Sequence, residues 1–275
     1  MDSNILRRFS RSILFILFSC YADENEFVDL GSFVGSRSMQ YEIKSYDKIF
    51  VYSPYRTGST YIFNVLRFLF EDEETKNSPD WGNENQGRVV CKYHSLNKLS
   101  NNVSCFVTIR NPFHSFFSFY RIYLNSNKVE SFSDGDLRAL VDSYMETWYQ
   151  IESVISGKSN AIILRYEMFL DGIDFVFMCI ESFYSIEIKD EDKLTIRKSL
   201  SLENVIANAR KYNSFDEFDL GSLIHGNHIQ QNSMNKSEFN REKRLIFDQL
   251  KKHQEIICKL GYSYIFDGRG LIEDF

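Results

Sequence analysis

The sequence predicts an α/β fold, a three-layer sandwich in which helices cover both faces of a central, mostly parallel sheet. Two observations carry this expectation. Four short runs rich in β-branched and aromatic residues, 48–53, 88–94, 103–109 and 161–166, have the composition of strands buried on both faces. Longer stretches with apolar residues at helical spacing lie between and after them, and strands separated by helices pair in parallel through crossovers. Ligands of such sheets bind outside the carboxyl ends of the strands. The loops that follow the four runs are therefore where function is sought.

Size and composition bound the rest. With 275 residues the chain is long for one domain and short for two, and a single domain is expected over 45–265. Three prolines, 13 glycines and a hydrophobic share of 43% exclude a disordered or fibrous chain. The 32 basic against 38 acidic residues leave a net charge of −6, so the average surface repels a polyanion. No nucleic-acid partner is expected, and any phosphate must be held by a local site. Five widely spaced cysteines, Cys20, Cys91, Cys105, Cys179 and Cys258, lack a Cys-x-x-Cys or nearby His spacing. They read as reduced thiols, with Cys91 and Cys105 as small hydrophobes inside apolar runs, and no metal site is expected.

At the N-terminus, Arg7, Arg8 and Arg11 precede the apolar run Ser12 to Ala22, and acidic residues follow. Residues 1–26 thus have the outline of a secretory signal, or form an amphipathic terminal helix. The run is too short for a membrane anchor, which needs about 20 apolar residues. A secretory and a cytoplasmic location both stay open.

The first strand, Lys48 to Ser53, stops at Pro54, and Tyr55-Arg56-Thr57-Gly58-Ser59-Thr60 leads into a helix over Tyr61 to Phe70. A helix N-terminus entered from a small polar loop collects unpaired amides and the positive end of the macrodipole, the elements of a phosphate or sulfate cradle. The same residues also suit a plain turn with an N-cap. Only Gly58 is present and no lysine follows it, so the Gly-x-x-x-x-Gly-Lys-Ser/Thr pattern of nucleoside triphosphatases is absent. Polar segments at 71–87 and 125–136 read as loop-like insertions beside the motifs.

The second strand, Arg88 to His94, ends in Lys92-Tyr93-His94, and the third, Val103 to Ile109, ends at Arg110-Asn111-Pro112. Pro112 suits the first turn of the following helix, and Ser118 lies within that helix, eight residues after Arg110. Arginine offers a planar fork for phosphate, and a serine hydroxyl can donate beside it. The fourth strand, Ala161 to Tyr166, is followed by a helix over Phe175 to Tyr184. Asp190 to Lys193 reads as a solvated turn, and Arg241 to Leu260 as one long helix stopped by Gly261. Phe116, Phe117, Phe119 and Trp148 read as core.

These residues, in this order, resemble the sulfotransferases that use 3′-phosphoadenosine 5′-phosphosulfate (PAPS). Pro54 to Thr60 resembles that family's loop around the 5′-phosphosulfate, and Ile109 to Tyr120 resembles its 3′-phosphate motif, including the spacing from Arg110 to Ser118. Lys92-Tyr93-His94-Ser95-Leu96 resembles the segment that carries the catalytic histidine of cytosolic members. Tyr166-Glu167 resembles the strand-end pair near the adenine. Three departures stand out. Tyr55 is an extra residue before the basic one, Arg56 replaces the lysine common in cytosolic members, and His225-Gly226-Asn227-His228 occupies the place of a late Arg-Lys-Gly segment, resembling the Gly-Asn segment of distant and bacterial relatives.

The resemblance implies a P-loop-NTPase-like fold and transfer of a sulfuryl group from PAPS, without a metal, to a hydroxyl or amine of a glycan, protein or small molecule. It implies nucleotide contacts from Arg56, Thr57, Gly58, Ser59, Thr60, Arg110, Ser118, Tyr166, Gly226 and Asn227, with His94 and Arg56 catalytic. Arg56 would stabilise charge on the leaving oxygen rather than donate a proton. His94, with a reference pKa of about 6.5, suits a general base. Lys92 either holds charge in the site or lies exposed, and Tyr166 either meets the adenine or is a core aromatic. A P-loop-like kinase for nucleosides or small molecules and a catalytically inactive nucleotide-binding relative are the alternatives. The first would want a loop lysine and carboxylates for Mg²⁺.

Overall fold

A computed structural model describes residues 48–71, 89–94, 104–127, 132–157, 161–169, 172–213, 217–219, 222–226 and 240–267. The N-terminal segment 1–26, Cys20, Asn227 and His228 lie outside the described residues. Four strands, β1 (Ile49–Tyr52), β2 (Val90–Tyr93), β3 (Ser104–Ile109) and β4 (Ala161–Arg165), form one sheet in the order β2-β1-β3-β4. Every pairing among them is parallel: Ile49 lies opposite Val90 on one side and Ser104 on the other, and Ile109 lies opposite Arg165. The chain has the predicted α/β architecture.

Alternation along the strands feeds two cores. Ile49, Val51, Phe106, Ile162 and Leu164 point to one face, where they pack with α1 (Ser59–Phe70), α5 (Asp174–Tyr184) and α6 (Asp190–Ser199). Phe50, Tyr52, Cys105, Val107 and Ile109 point to the other, beneath α2 (Pro112–Asn127), α3 (Asp134–Gly157), α8 (Asn240–Leu250) and α9 (Gln254–Lys259). A single turn α4 (Tyr166–Phe169) follows β4, and α7 (Leu202–Ala209) follows α6. None of the four described cysteines is in a disulfide, and Cys91 and Cys105 are buried in the second core. Among the described residues no helix is long and apolar enough to cross a membrane.

The topology itself places the site. The chain leaves β1 through α1 on one face, while from the neighbouring β3 it leaves through α2 on the opposite face. Adjacent strands whose connections diverge in this way open a crevice at their carboxyl ends.

Several boundaries differ from expectation. Glu71, expected in a polar insertion, is buried: it pairs with Arg67 at 2.8 Å and accepts the Val90 amide at 3.0 Å, joining the end of α1 to the start of β2. The 125–136 stretch is helical at both ends, because Ser133 caps α3 through the Asp136 amide at 3.2 Å. Asp190 to Lys193 is the first turn of α6, where three acidic side chains meet the positive end of the helix. The long C-terminal helix is divided by a 3₁₀ turn at Lys251–His253. It does stop at Gly261, with φ +85°, in a Schellman motif: the Tyr262 and Gly261 amides reach the Ile257 and Cys258 carbonyls at 3.1 and 2.9 Å.

Candidate active site

The β1–α1 loop bends through two left-handed residues, Arg56 at φ +67° and Gly58 at φ +83°. Glycine is required at 58 for a second reason: a Cβ there would lie 2.8 Å from Tyr166 Cδ2 and 2.9 Å from Phe169 Cζ. Gly58 is also the N-cap of α1 and has no side chain with which to cap. The first amides of the helix are thus left for a ligand, on which the dipole favours negative charge. Arg56 holds a conformation that costs a non-glycine residue about 1 kcal/mol or more, a form of strain that clusters at ligand sites.

Side chains from the other strand ends converge on this loop. Lys92, near the end of β2, donates from Nζ to Thr60 Oγ1 at 2.7 Å. Arg110, directly after β3, reaches the Arg56 carbonyl at 3.5 Å through a terminal nitrogen and stacks its guanidinium 4.4 Å over the Tyr166 ring. Ser118, on α2, accepts from Arg56 Nε at 3.1 Å. His94 Nδ1 lies 2.8 Å from the Ser53 carbonyl. A carbonyl only accepts, so this nitrogen carries the proton and Nε2 holds the lone pair.

Two of the expected residues serve differently from their simplest reading. The Thr57 hydroxyl is fully buried, donating to the Pro54 carbonyl at 2.9 Å and sharing a 2.8 Å hydrogen bond with Thr108 Oγ1. Its side chain pins the loop to the sheet. Ser118, expected beside Arg110, is hydrogen-bonded to Arg56. Ser59 is buried in the first turn of α1, and Tyr166 is half-buried, packed between Arg110 and the glycine of the loop.

The late segment reaches the same place. Phe218 and His225 form an antiparallel bridge, with Leu223 at φ +58° in the turn between them and Gly226 following. Buried Asn64 ties this turn to α1, donating both to the Thr60 carbonyl and to the Ser222 carbonyl at 2.8 Å. His225 is near enough to Arg56 and Lys92 to feel their charges.

Crowding of cations in a poorly hydrated crevice sets the protonation states. Burial, reinforced by the charge of Arg110, lowers Arg56 to about 10, and it stays protonated at neutral pH. Burial, then Arg56, lowers Lys92 to about 7. Burial, then Lys92, takes His94 down to about 3, against a smaller upward pull from its hydrogen bond to Ser53. His225 falls to about 3 through burial and then Arg56 and Lys92. Such a cluster stores repulsion that a bound anion would relieve. The acid beside it is otherwise engaged: Glu167 accepts from the Asn111 amide at 2.7 Å and from the Tyr262 hydroxyl at 3.0 Å. Among the described residues no group of three or more His, Cys, Asp or Glu side chains is arranged to hold a metal ion.

Sequence reasoning missed several supports. Asn111 caps α2 by accepting the Phe113 and His114 amides at 3.0 and 3.3 Å; the Asn-Pro pair was the available signal. Tyr144 donates to the Tyr55 carbonyl at 2.9 Å, and nothing sets it apart from the aromatic stripe of α3. Phe119, read as core, is half-buried beside Tyr55.

No family model matches the sequence, and no curated protein matches it. Among solved structures, the chain is similar to a mouse sulfotransferase, SULT7A1, complexed with PAP, at 16% identity and a TM-score of 0.48, over 80% of this chain and 89% of that one.

Proposed function

We propose that this protein is a PAPS-dependent sulfotransferase, moving a sulfuryl group to a hydroxyl or amine of a glycan, protein or small molecule. The observation that carries this reading is the convergence of Arg56, Lys92, Arg110 and Ser118, from separate elements, on the uncapped N-terminus of α1. Three cations and a ring of amides suit a ligand with phosphate at both ends of a nucleoside. Tyr166 beside Arg110 suits the base and 3′-phosphate end, with Ser118 completing the contact once Arg56 turns to the 5′ end. Gly226, at the end of the described late turn, would meet the nucleotide there.

PAPS supplies a nearly neutral sulfuryl group on a phosphate leaving group, so catalysis rests on positioning and on charge stabilisation. Arg56 and the α1 amides stabilise charge on the departing oxygen. Arg56 keeps its proton, since even about 10 lies well above neutral pH. His94 takes the proton of the acceptor at Nε2. An anion bound beside Lys92 and Arg56 offsets the repulsion that weakens this base.

The deciding experiment measures release of adenosine 3′,5′-bisphosphate (PAP) from PAPS across glycan, tyrosyl-peptide and phenol acceptors, alongside PAP binding by thermal shift in EDTA. Metal-independent binding with acceptor-dependent release is expected. Binding that requires Mg²⁺ would point to a kinase, and binding with no turnover on any acceptor to an inactive nucleotide-binding relative. Arg56→Ala should weaken PAP binding and also slow turnover, by about 10²- to 10³-fold, the usual loss for one oxyanion donor.

A further inference from the structure

Tyr55 makes the β1–α1 loop one residue longer than the pattern it resembles. Its ring stacks on the His94 imidazole, with centroids 4.2 Å apart and planes at 22°, and on Phe119 at 5.2 Å and 21°. The main chain on either side is fixed. The Tyr55 carbonyl accepts from the buried Tyr144 hydroxyl, and Arg56 is held in the left-handed conformation. Yet Tyr55 is 41% exposed, so it is not placed there to fill the core. Among the described residues His94 has one side-chain hydrogen bond, from Nδ1 to the Ser53 carbonyl. A single hydrogen bond lets an imidazole swing about it, whereas a ring laid on its face removes that freedom.

We propose that Tyr55 is a positioning residue, whose ring holds the His94 imidazole in the one orientation that keeps Nδ1 on the Ser53 carbonyl and so leaves Nε2 as the basic nitrogen. This rests on the reading of His94 as the acceptor's base. Tyr55 shields the face of the imidazole from water, and Phe119 on α2 backs Tyr55 in turn. Lys92 on β2, with Arg56 on the loop and His225 on the late turn close by, supplies the charge around it. The cover contributes to the burial that depresses His94, so its removal moves His94 back toward its ordinary value of 6.5.

The test uses the full-length protein with ¹⁵N-labelled histidine, as wild type, Tyr55→Phe and Tyr55→Ala, and reads the His94 ring nitrogens against pH by NMR. Wild type and Tyr55→Phe should both show the Nδ1–H tautomer and a titration far below 6.5. Tyr55→Ala should show averaged tautomers and a higher midpoint, with kcat lowered about 2- to 12-fold, the range one aromatic pair spans, and PAP affinity unchanged. A His94 ring in Tyr55→Ala indistinguishable from wild type overturns the proposal, as does a Tyr55→Phe variant that behaves like Tyr55→Ala. Thermal melts of each variant separate these results from misfolding. Failure of the wild type to bind PAP would sink the sulfotransferase reading instead, and the ring signals of unliganded protein report on Tyr55 whichever way that falls.

Discussion

On the β3–β4 side of the crevice, Arg110 lies against the face of Tyr166, which packs in turn on Gly58, so a permanent charge is fixed in place by aromatic contacts. On the β2 side, Lys92 and His94 are half-buried groups whose protonation is poised by their surroundings, Lys92 at about 7 and His94 far below its usual value. Arg56 stands between them, its carbonyl toward Arg110 and its side chain on Ser118. A dianionic phosphate needs fixed charge; a proton acceptor needs a neutral base. Under the proposed function the contrast gives binding to one wall and proton movement to the other, and substitutions on each wall should separate the two.

The largest effect is expected at His94. If His94 is the base of the proposed reaction, His94→Ala should lower turnover by about 10²- to 10⁴-fold while leaving PAP affinity nearly intact, because a base in that role meets the acceptor and not the nucleotide. Wild-type turnover in this variant would move the base to the late turn, where His225 is the next candidate.

On the opposite wall Arg110→Ala should cost about 1.5 to 3 kcal/mol of PAP affinity, the worth of a hydrogen bond to a charged group. Calorimetry with PAP and with adenosine 5′-phosphate checks the assignment. The variant should lose most of the preference for the 3′-phosphorylated ligand, and a wild type without that preference would dissolve the contrast between the walls.

Gly58→Ala tests the shared hinge. A left-handed φ and a Cβ driven against Tyr166 and Phe169 should destabilise the fold by about 1 to 3 kcal/mol, read by denaturant unfolding. An unchanged midpoint would mean that Tyr166 does not brace the loop.

The smallest effect is a pH slope. The folded, unliganded protein loses the Lys92 proton near 7, and a bound anion raises that value, so PAP binding should take up a proton above pH 7. Affinity should fall by at most about tenfold per pH unit as pH rises, with proton uptake visible in buffers of different ionisation heat. The unliganded fold behaves oppositely. Lys92 is depressed from 10.5, so its contribution to stability is present above 10.5 and lost as pH falls toward 7.

Much of this site was legible because its parts are local. Runs ending at Pro54, at Lys92-Tyr93-His94 and at Arg110-Asn111-Pro112 declare strand ends within a few residues of themselves, and those ends carry Arg56, Lys92, His94 and Arg110. Glu71 was misread because only half of its surroundings is local: Arg67 lies four residues back on the same helix, but the Val90 amide it also accepts lies across a segment of chain, in β2.

By itself the sequence determined the alternation of short strands and helices, the small polar loop that enters α1 and the cationic strand ends, since periodicity and turn chemistry act over one or two turns of chain. Only the tertiary structure decided that β1 lies between β2 and β3, that Ser118 meets Arg56, that Asn64 anchors a turn 158 residues away and that Tyr55 covers His94. Those pairings carry no local signal, because they arise when two faces of a sheet are packed at once and side chains far apart in sequence compete for the same crevice.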